Sequence, residues 1–247
     1  MGQRPATPRE LAHVLRACRH LCVLTGAGMS AESGIPTFRA AQTGLWERYD
    51  PLELATPEAF ARDPELVWRW YSWRRELVAA ATPNPGHFAL ARLACLLPRL
   101  TLITQNVDGL HQKAGSRTVI EFHGNLFANR CSVEGRLVED DVVIENGIPC
   151  CPRCGARLRP GVVWFGEAIP PAALAAAADA AADCDLFLSI GTSALVWPAA
   201  GLAESTRAAG ARVAEINPAE TGLSAACDFR LAGNSGEVLP ELVNCLS

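Results

Sequence analysis

Lysine is almost absent from this chain. Arginine carries nearly all of its 22 basic side chains, which face 26 aspartates and glutamates for a net charge of −4. Without a cluster of basic residues there is no footprint for a phosphate backbone, so nucleic acid is not an expected partner. Long apolar runs are missing too. The longest tract, about 172–182, is alanine-rich, broken by Asp179 and preceded by Pro170 and Pro171. No segment therefore reads as membrane-spanning. The N-terminal residues lack the apolar core of a secretory signal, and Ala6 stands where myristoylation calls for Ser or Thr. The expected location is the cytoplasm, or the mitochondrion in a eukaryotic host. Of the ten cysteines, Cys18, Cys22, Cys95, Cys184, Cys227 and Cys245 are isolated in apolar surroundings. They read as small hydrophobes, not as a disulfide framework.

What is present suffices for a sizeable core: 247 residues, 49% of them hydrophobic. An apolar run, Leu21 to Leu24, stops at Gly26, Ala27 and Gly28, and small residues then lead through Ala31 and Glu32 to Thr37, Phe38 and Arg39. Glycines let backbone N–H groups approach a pyrophosphate, and the following helix start adds unpaired donors. An ordinary tight turn uses the same residues. The apolar run before the glycines and the Phe38–Arg39 pair after them favour a ligand loop. Further strands are predicted at 100–104, 119–120, 162–166, 185–191, 211–217 and 229–231, and most end in Gly, Asn, Asp or Ser. Helices are predicted at 8–20, 66–78, 86–97, 172–182, 198–209 and 236–246, with starts at Thr56–Pro57 and Asp63–Pro64. Strand alternating with helix is the signature of an α/β fold, here a Rossmann-like open parallel sheet that binds its ligand beyond the carboxyl ends of its strands. Two stretches break the alternation. Residues 46–82 and 126–160 read as a smaller lobe, helical plus zinc-ribbon-like, inserted into a large domain of 1–45, 83–125 and 161–247. The cysteine region, 129–160, reads as short, polar and strand-poor. Trp46 reads as part of a turn against the ligand loop.

Cys151 and Cys154 form a Cys-x-x-Cys knuckle, a zinc signal when a second knuckle stands 15–20 residues away. The upstream partner has only Cys131, with Glu134 where the second thiolate belongs, and Cys150 is an extra thiol beside the knuckle. Three arrangements stay open. Cys131, Cys150, Cys151 and Cys154 bind zinc together, or Glu134 or water is the fourth ligand, or no metal binds. The ion would be structural, since no histidine lies nearby. Gln105, Asn106 and Asp108 close a strand, either as turn chemistry or aimed at a polar ligand. His123 sits at another strand end, where a neutral imidazole could take a proton; His13, His20, His87 and His111 read as packing or capping residues. Tyr71 and Arg74 are three apart on a helix and share a face. Arg74 has aromatic and aliphatic helical neighbours and no acid among them. It reads either as a snorkelling or cross-helix arginine or as a fork for a ligand carboxylate, with the tyrosine hydroxyl as second donor.

Taken together, Gly26 to Arg39, Gln105 to Asp108, Phe122 to Gly124, Val163 to Glu167, Gly191 to Ser193 and Ile216 to Pro218 resemble the motifs of the sirtuins, from about residue 10 to the end of the chain. Leu54 to Pro57 and Trp70 to Arg75 resemble the class III branch, the desuccinylases and demalonylases. The resemblance implies an NAD-dependent protein-lysine deacylase that releases nicotinamide and acyl-ADP-ribose and favours succinyl or malonyl over acetyl. It implies His123 as general base, and Asn106 and Asp108 at the nicotinamide with Arg39 and Gln105 near its ribose. Gly191, Thr192, Ser193, Asn217 and Ser235 would hold the adenosine half. It implies Ala55, Tyr71 and Arg74 at the acyl group, with Val163, Trp164 and Phe165 along the substrate, and one structural zinc ion. The expected partners are acylated lysines of proteins, acting on a monomer, with no nucleic acid and no membrane. Three other readings compete: a dehydrogenase, which shares the glycine loop but would reduce its cofactor; a zinc-ribbon binding module, which the acidic balance disfavours; and ADP-ribosyl transfer to protein, the closest in chemistry.

Overall fold

The computed structural model describes residues 5–36, 49–139, 142–145 and 147–246. The residues expected at Thr37, Phe38, Arg39 and Trp46 lie outside them.

Local chemistry sets most element boundaries. In α1 (Pro8–Leu15) the Thr7 hydroxyl accepts from the Glu10 amide at 3.3 Å and the Glu10 carboxylate accepts from the Thr7 amide at 2.7 Å, a reciprocal cap. The helix ends at Leu15, short of the expected residue 20, because the chain must turn before β1 (His20–Thr25), which is buried throughout. The turn α2 (Gly28–Ala31) is followed by α3 (Pro51–Leu54), α4 (Pro57–Arg62) and α5 (Pro64–Ala80). Thr56 and Asp63 cap the last two, and a proline opens each. Next come α6 (Pro85–Leu96), β2 (Arg99–Thr104), α7 (Leu110–Lys113) and β3 (Val119–Glu121). A run of short strands follows: β4 (Gly124–Cys131), β5 (Leu137–Val138), β6 (Val143–Glu145), β7 (Ile148–Cys150) and β8 (Leu158–Val162). The chain closes with α8 (Pro171–Asp183), β9 (Leu186–Ile190), α9 (Gly201–Ala208), β10 (Arg212–Ile216), β11 (Phe229–Leu231) and α10 (Ser235–Leu246).

Six strands form one parallel sheet in the order β11-β10-β9-β1-β2-β3. One apolar cluster joins its face to α1, α6 and α10, through Leu11, Leu15, Leu90, Leu93, Leu239 and Leu242. A second joins the other face to α8 and α9, through Ala177, Ala181, Phe187, Leu202 and Val213. β1 pairs with β2 on one side and with β9 on the other, so the strand order reverses there. In an open sheet a crevice opens beyond the carboxyl ends at such a reversal.

The cysteine region departs from its strand-poor reading. β4 pairs antiparallel with β5 and β8, and β6 with β7. These strands are mostly two to five residues long and are separated by turns with glycines at positive φ, Gly135, Gly147 and Gly155. An alternation that brief leaves no periodic trace in sequence. The run at 162–166 departs as well: β8 ends at Val162, and the Val163 amide donates to the His123 carbonyl at 2.8 Å. Helix α5 packs on this antiparallel layer. Val67, Trp70 and Tyr71 meet Leu126, Val162 and Trp164, while Trp68 meets Cys131, Cys151 and Leu158.

Candidate active site

Two glycine loops meet at the strand reversal. The Gly26 amide donates to the Ile190 carbonyl at 2.9 Å and the Gly28 amide to the Gly191 carbonyl at 2.8 Å. Gly191 has φ +60°, and a Cβ there would lie 2.4 Å from the Met29 nitrogen. No other residue fits this contact, which holds the β1 and β9 loops edge to edge. Around it, the Gln105 amide donates to the Thr192 hydroxyl at 3.1 Å, and the Asn217 side chain donates to the Thr192 carbonyl at 2.9 Å. Thr192 is buried, and Ser193 beside it is half-buried. Glu32 reaches across to the C-terminal helix, where its carboxylate accepts from the Ser235 hydroxyl at 3.2 Å and the Gly236 amide at 2.7 Å. Gly26, Ala27, Gly28, Ala31, Glu32, Gln105, Gly191, Thr192, Ser193, Asn217 and Ser235 thus gather around one end of the sheet.

Below the loops lies a buried polar floor. The Ser30 hydroxyl donates to Asp108 at 2.7 Å and accepts from the Asn106 amide at 3.1 Å. The Asp108 carboxylate also accepts from the Leu110 amide at 2.9 Å. Sequence reasoning did not single out Ser30, although it lies inside the glycine stretch. Asn84 donates to the Met29 carbonyl at 2.8 Å and caps α6 together with His87, which confirms the capping role expected for that histidine. His111 meets the Thr25 hydroxyl at 2.9 Å, and the His87 and His111 rings stand 4.9 Å apart. Burial depresses both imidazoles from 6.5, His87 to about 4 against the opposing charges of Asp108 and Glu32, and His111 to about 3 with help from His87. Both are neutral at pH 7. A base whose folded pKa is depressed contributes stability in full above its unfolded pKa and loses it as pH falls through the folded value. Thermal unfolding should therefore show His87 costing on the order of 3 kcal/mol between pH 6.5 and 4. The wild type should lose more stability over that range than His87→Gln; parallel losses would contradict the assignment.

His123 follows β3 and precedes β4, at the same end of the sheet. Its Nδ1 lies 3.1 Å from the Gln105 carbonyl. A carbonyl only accepts, so Nδ1 carries the proton and Nε2 presents its lone pair. Burial lowers the His123 pKa, opposed by the Gln105 hydrogen bond. The result is a neutral imidazole with a fixed tautomer, whose Nε2 is able to accept a proton.

A second wall comes from α5 and the segment after β8. Tyr71 is fully buried, and burial pushes its hydroxyl up to about 12. The Trp164 indole N–H donates to the Tyr71 oxygen at 2.9 Å. The Arg74 guanidinium stacks 4.9 Å from the Trp70 ring centre and 5.9 Å from that of Tyr71. Burial lowers its pKa, while the charges of Tyr71 and of Asp108 in the polar floor oppose that fall. Val107, the neighbour of Asp108, packs against the cluster of Trp70 and Tyr71, so this helix lies beside the floor. Trp164 is itself clamped. Arg159 stacks 3.4 Å from its ring, and Glu167 accepts from its backbone amide at 2.8 Å while pairing with Arg159. The Phe165 amide donates to the Ala55 carbonyl at 3.0 Å, which ties the segment Val163 to Phe165 to the buried Ala55. Arg159 was not foreseen, because an arginine on a short strand gives no periodic signal.

The cysteines gather elsewhere. Cys131, Glu134, Cys151 and Cys154 place a sulfur or carboxylate oxygen each within 4.8 Å of one another. Cys150, expected as a possible fourth thiolate, is not among them. It closes β7, and its thiol points to the Ile148 carbonyl at 3.8 Å.

Residues 26–198 match the model of the Sir2 family. The chain belongs to the Sir2 family. It is 54% identical to an NAD-dependent protein deacylase of Methylococcus capsulatus over 96% of each chain. It is also similar to a solved Sir2 homologue in complex with NAD, with a TM-score of 0.91 and 47% identity over 99% of this chain and 95% of that one. A mutant Sir2 homologue with 2′-O-acetyl ADP ribose superposes with a TM-score of 0.89 at 49% identity, over 96% and 95%. The Rossmann-like sheet and the small antiparallel lobe are those of a Sir2 fold, and the cofactor is NAD. The cysteine group suits a structural zinc site. Zinc–sulfur bonds of about 2.3 Å in a tetrahedron place sulfurs about 3.8 Å apart, and the Cys131 and Cys154 sulfurs are 3.5 Å apart. Among the described residues, no helix of this Sir2 protein is long and apolar enough to cross a membrane.

Proposed function

We propose that this chain removes acyl groups from protein lysines at the expense of NAD, and that it favours short acyl groups ending in a carboxylate, succinyl or malonyl, over acetyl. The deacylase activity rests on family membership. The acyl preference rests on one observation, the Trp164–Tyr71 hydrogen bond beside Arg74. Because the Tyr71 oxygen accepts from the indole, its own O–H is the group left to donate. A tyrosine O–H and a guanidinium on one helix face suit a carboxylate. Acetyl offers them no charge to meet, whereas a carboxylate adds a charge-assisted pair.

NAD, when bound, supplies the ribose that accepts the acyl group. In this reading the loops at Gly26 to Gly28 and Gly191 to Ser193 hold its phosphates and adenosine half, with Asn217 and Ser235. Asn106 and Asp108 seat the nicotinamide. His123 Nε2 takes the proton from a ribose hydroxyl, and Gln105 keeps the imidazole turned for it. Val163 to Phe165 line the lysine, and Ala55 leaves room for the longer acyl chain. The proposed division is a large domain of 1–45, 83–125 and 161–247 with a lobe of 46–82 and 126–160, and α5 brings Tyr71 and Arg74 from that lobe to the large domain's strand ends. Mass spectrometry of a reaction with NAD and succinyl- or acetyl-lysine peptide tests the chemistry. Nicotinamide and an acyl-ADP-ribose should appear in equal amounts; a reduced cofactor, or ADP-ribosylated protein without deacylation, would contradict it.

Trp164→Phe keeps the ring and removes the N–H. Desuccinylation should fall about three- to tenfold while deacetylation changes less, since a neutral hydrogen bond contributes roughly 0.5–1.5 kcal/mol. Equal losses on paired peptides would assign Trp164 to packing alone.

A further inference from the structure

The cysteine group carries an inference about its fourth donor. Its two turns are built alike. In the downstream turn the Gly155 amide donates to the Cys151 carbonyl at 2.9 Å, the Cys151 amide donates to Ala156 at 2.7 Å, and Gly155 has φ +70°. In the upstream turn the Gly135 amide donates to the Cys131 carbonyl at 3.0 Å, the Cys131 amide donates to Arg136 at 2.9 Å, and Gly135 has φ +68°. Position 134 therefore stands where Cys154 stands in its own turn. The backbone supports this equivalence, because the Glu134 amide donates to the Cys131 sulfur at 3.3 Å, as a knuckle requires.

We propose that Glu134 is the fourth ligand of the zinc site, making it a set of three thiolates and one carboxylate. Its carboxylate oxygen already lies within 4.8 Å of the three sulfurs, and oxygen is an ordinary zinc donor at about 2.0–2.2 Å. The charges agree. A dication with three thiolates and a carboxylate keeps two negative charges, and two arginines meet that excess. Arg136 donates to Glu134 at 2.6 Å and reaches the Cys151 sulfur at 3.6 Å, and Arg153 approaches the carboxylate at 3.8 Å. Such outer partners orient a ligating carboxylate and hold its basicity. Cys150, whose thiol is turned to its own strand, does not take this role.

X-ray absorption at the zinc edge of the purified protein, with zinc affinity measured by competition against a chromophoric chelator, tests the assignment without using activity. The wild type should show three sulfurs at about 2.3 Å and one oxygen at about 2.0 Å. Glu134→Ala should lose at least about tenfold in affinity, since even an outer partner of a metal ligand is worth that much. Glu134→Cys should bind more tightly and show four sulfurs, which guards against a variant that merely misfolds. Four sulfurs in the wild type would hand the role to Cys150. Unchanged affinity in Glu134→Ala would hand it to water, and three sulfurs in Glu134→Cys would show that position 134 does not face the metal. A wild type without zinc would remove the site. Any of these four results overturns the proposal.

Discussion

Arg74→Met should cut kcat/KM for a succinyl-lysine peptide about ten- to a hundredfold and leave that for the matched acetyl peptide within about twofold. A hydrogen bond to a charged group is worth roughly 1.5–3 kcal/mol, which is that range. Methionine keeps the unbranched stem that packs along Trp70 and Tyr71, so the change isolates the charge. The loss should appear mainly in KM, because the carboxylate lies away from the bond that breaks and contributes equally before and during reaction. Steady-state kinetics on paired peptides measure both. Equal losses on the two peptides would mean that Arg74 supports α5 and does not read the acyl group.

His123→Tyr should lower turnover by about 10²–10⁴-fold with every acyl peptide, the span that a positioned general base contributes. NAD binding should change little, since the glycine loops and the Ser30–Asp108 floor do not depend on His123. Isothermal titration alongside turnover separates the two effects. The wild type adds a pH signature. Burial holds the imidazole below 6.5, and a base works only unprotonated. Its rate should therefore be flat above pH 6.5 and fall as pH drops through the lowered value. An acidic limb centred above 6.5, or near-normal turnover in the variant, would take His123 out of the proton transfer.

The parallel sheet was legible because its strands are buried on both faces. Leu21 to Leu24 and Leu186 to Ile190 read as continuous apolar runs, and the residues that end them are those a strand-end site uses. Proline and a capping residue together marked the starts of α4 and α5, and the expected helix at 86–97 matches α6 to within a residue at each end. The antiparallel lobe was not legible, since its strands, all but β4 only two to five residues long, gain their apolar partner from α5 and not from their own alternation. The clamp of Arg159 and Glu167 on Trp164, and the reach of Glu32 to Ser235 across 203 residues, are long-range pairings without any local pattern. Cys150 illustrates the opposite failure. Adjacency to Cys151 suggested a ligand, but successive residues of an extended chain point to opposite sides, so only one of two neighbouring thiols faces the group.

The most direct test is the wild-type ratio of kcat/KM for succinyl-lysine over acetyl-lysine on one peptide sequence at saturating NAD. With Tyr71 and Arg74 reading a carboxylate, the ratio should exceed about ten. A ratio at or below one would contradict the assignment of these two residues and leave a deacylase selective for neutral acyl groups.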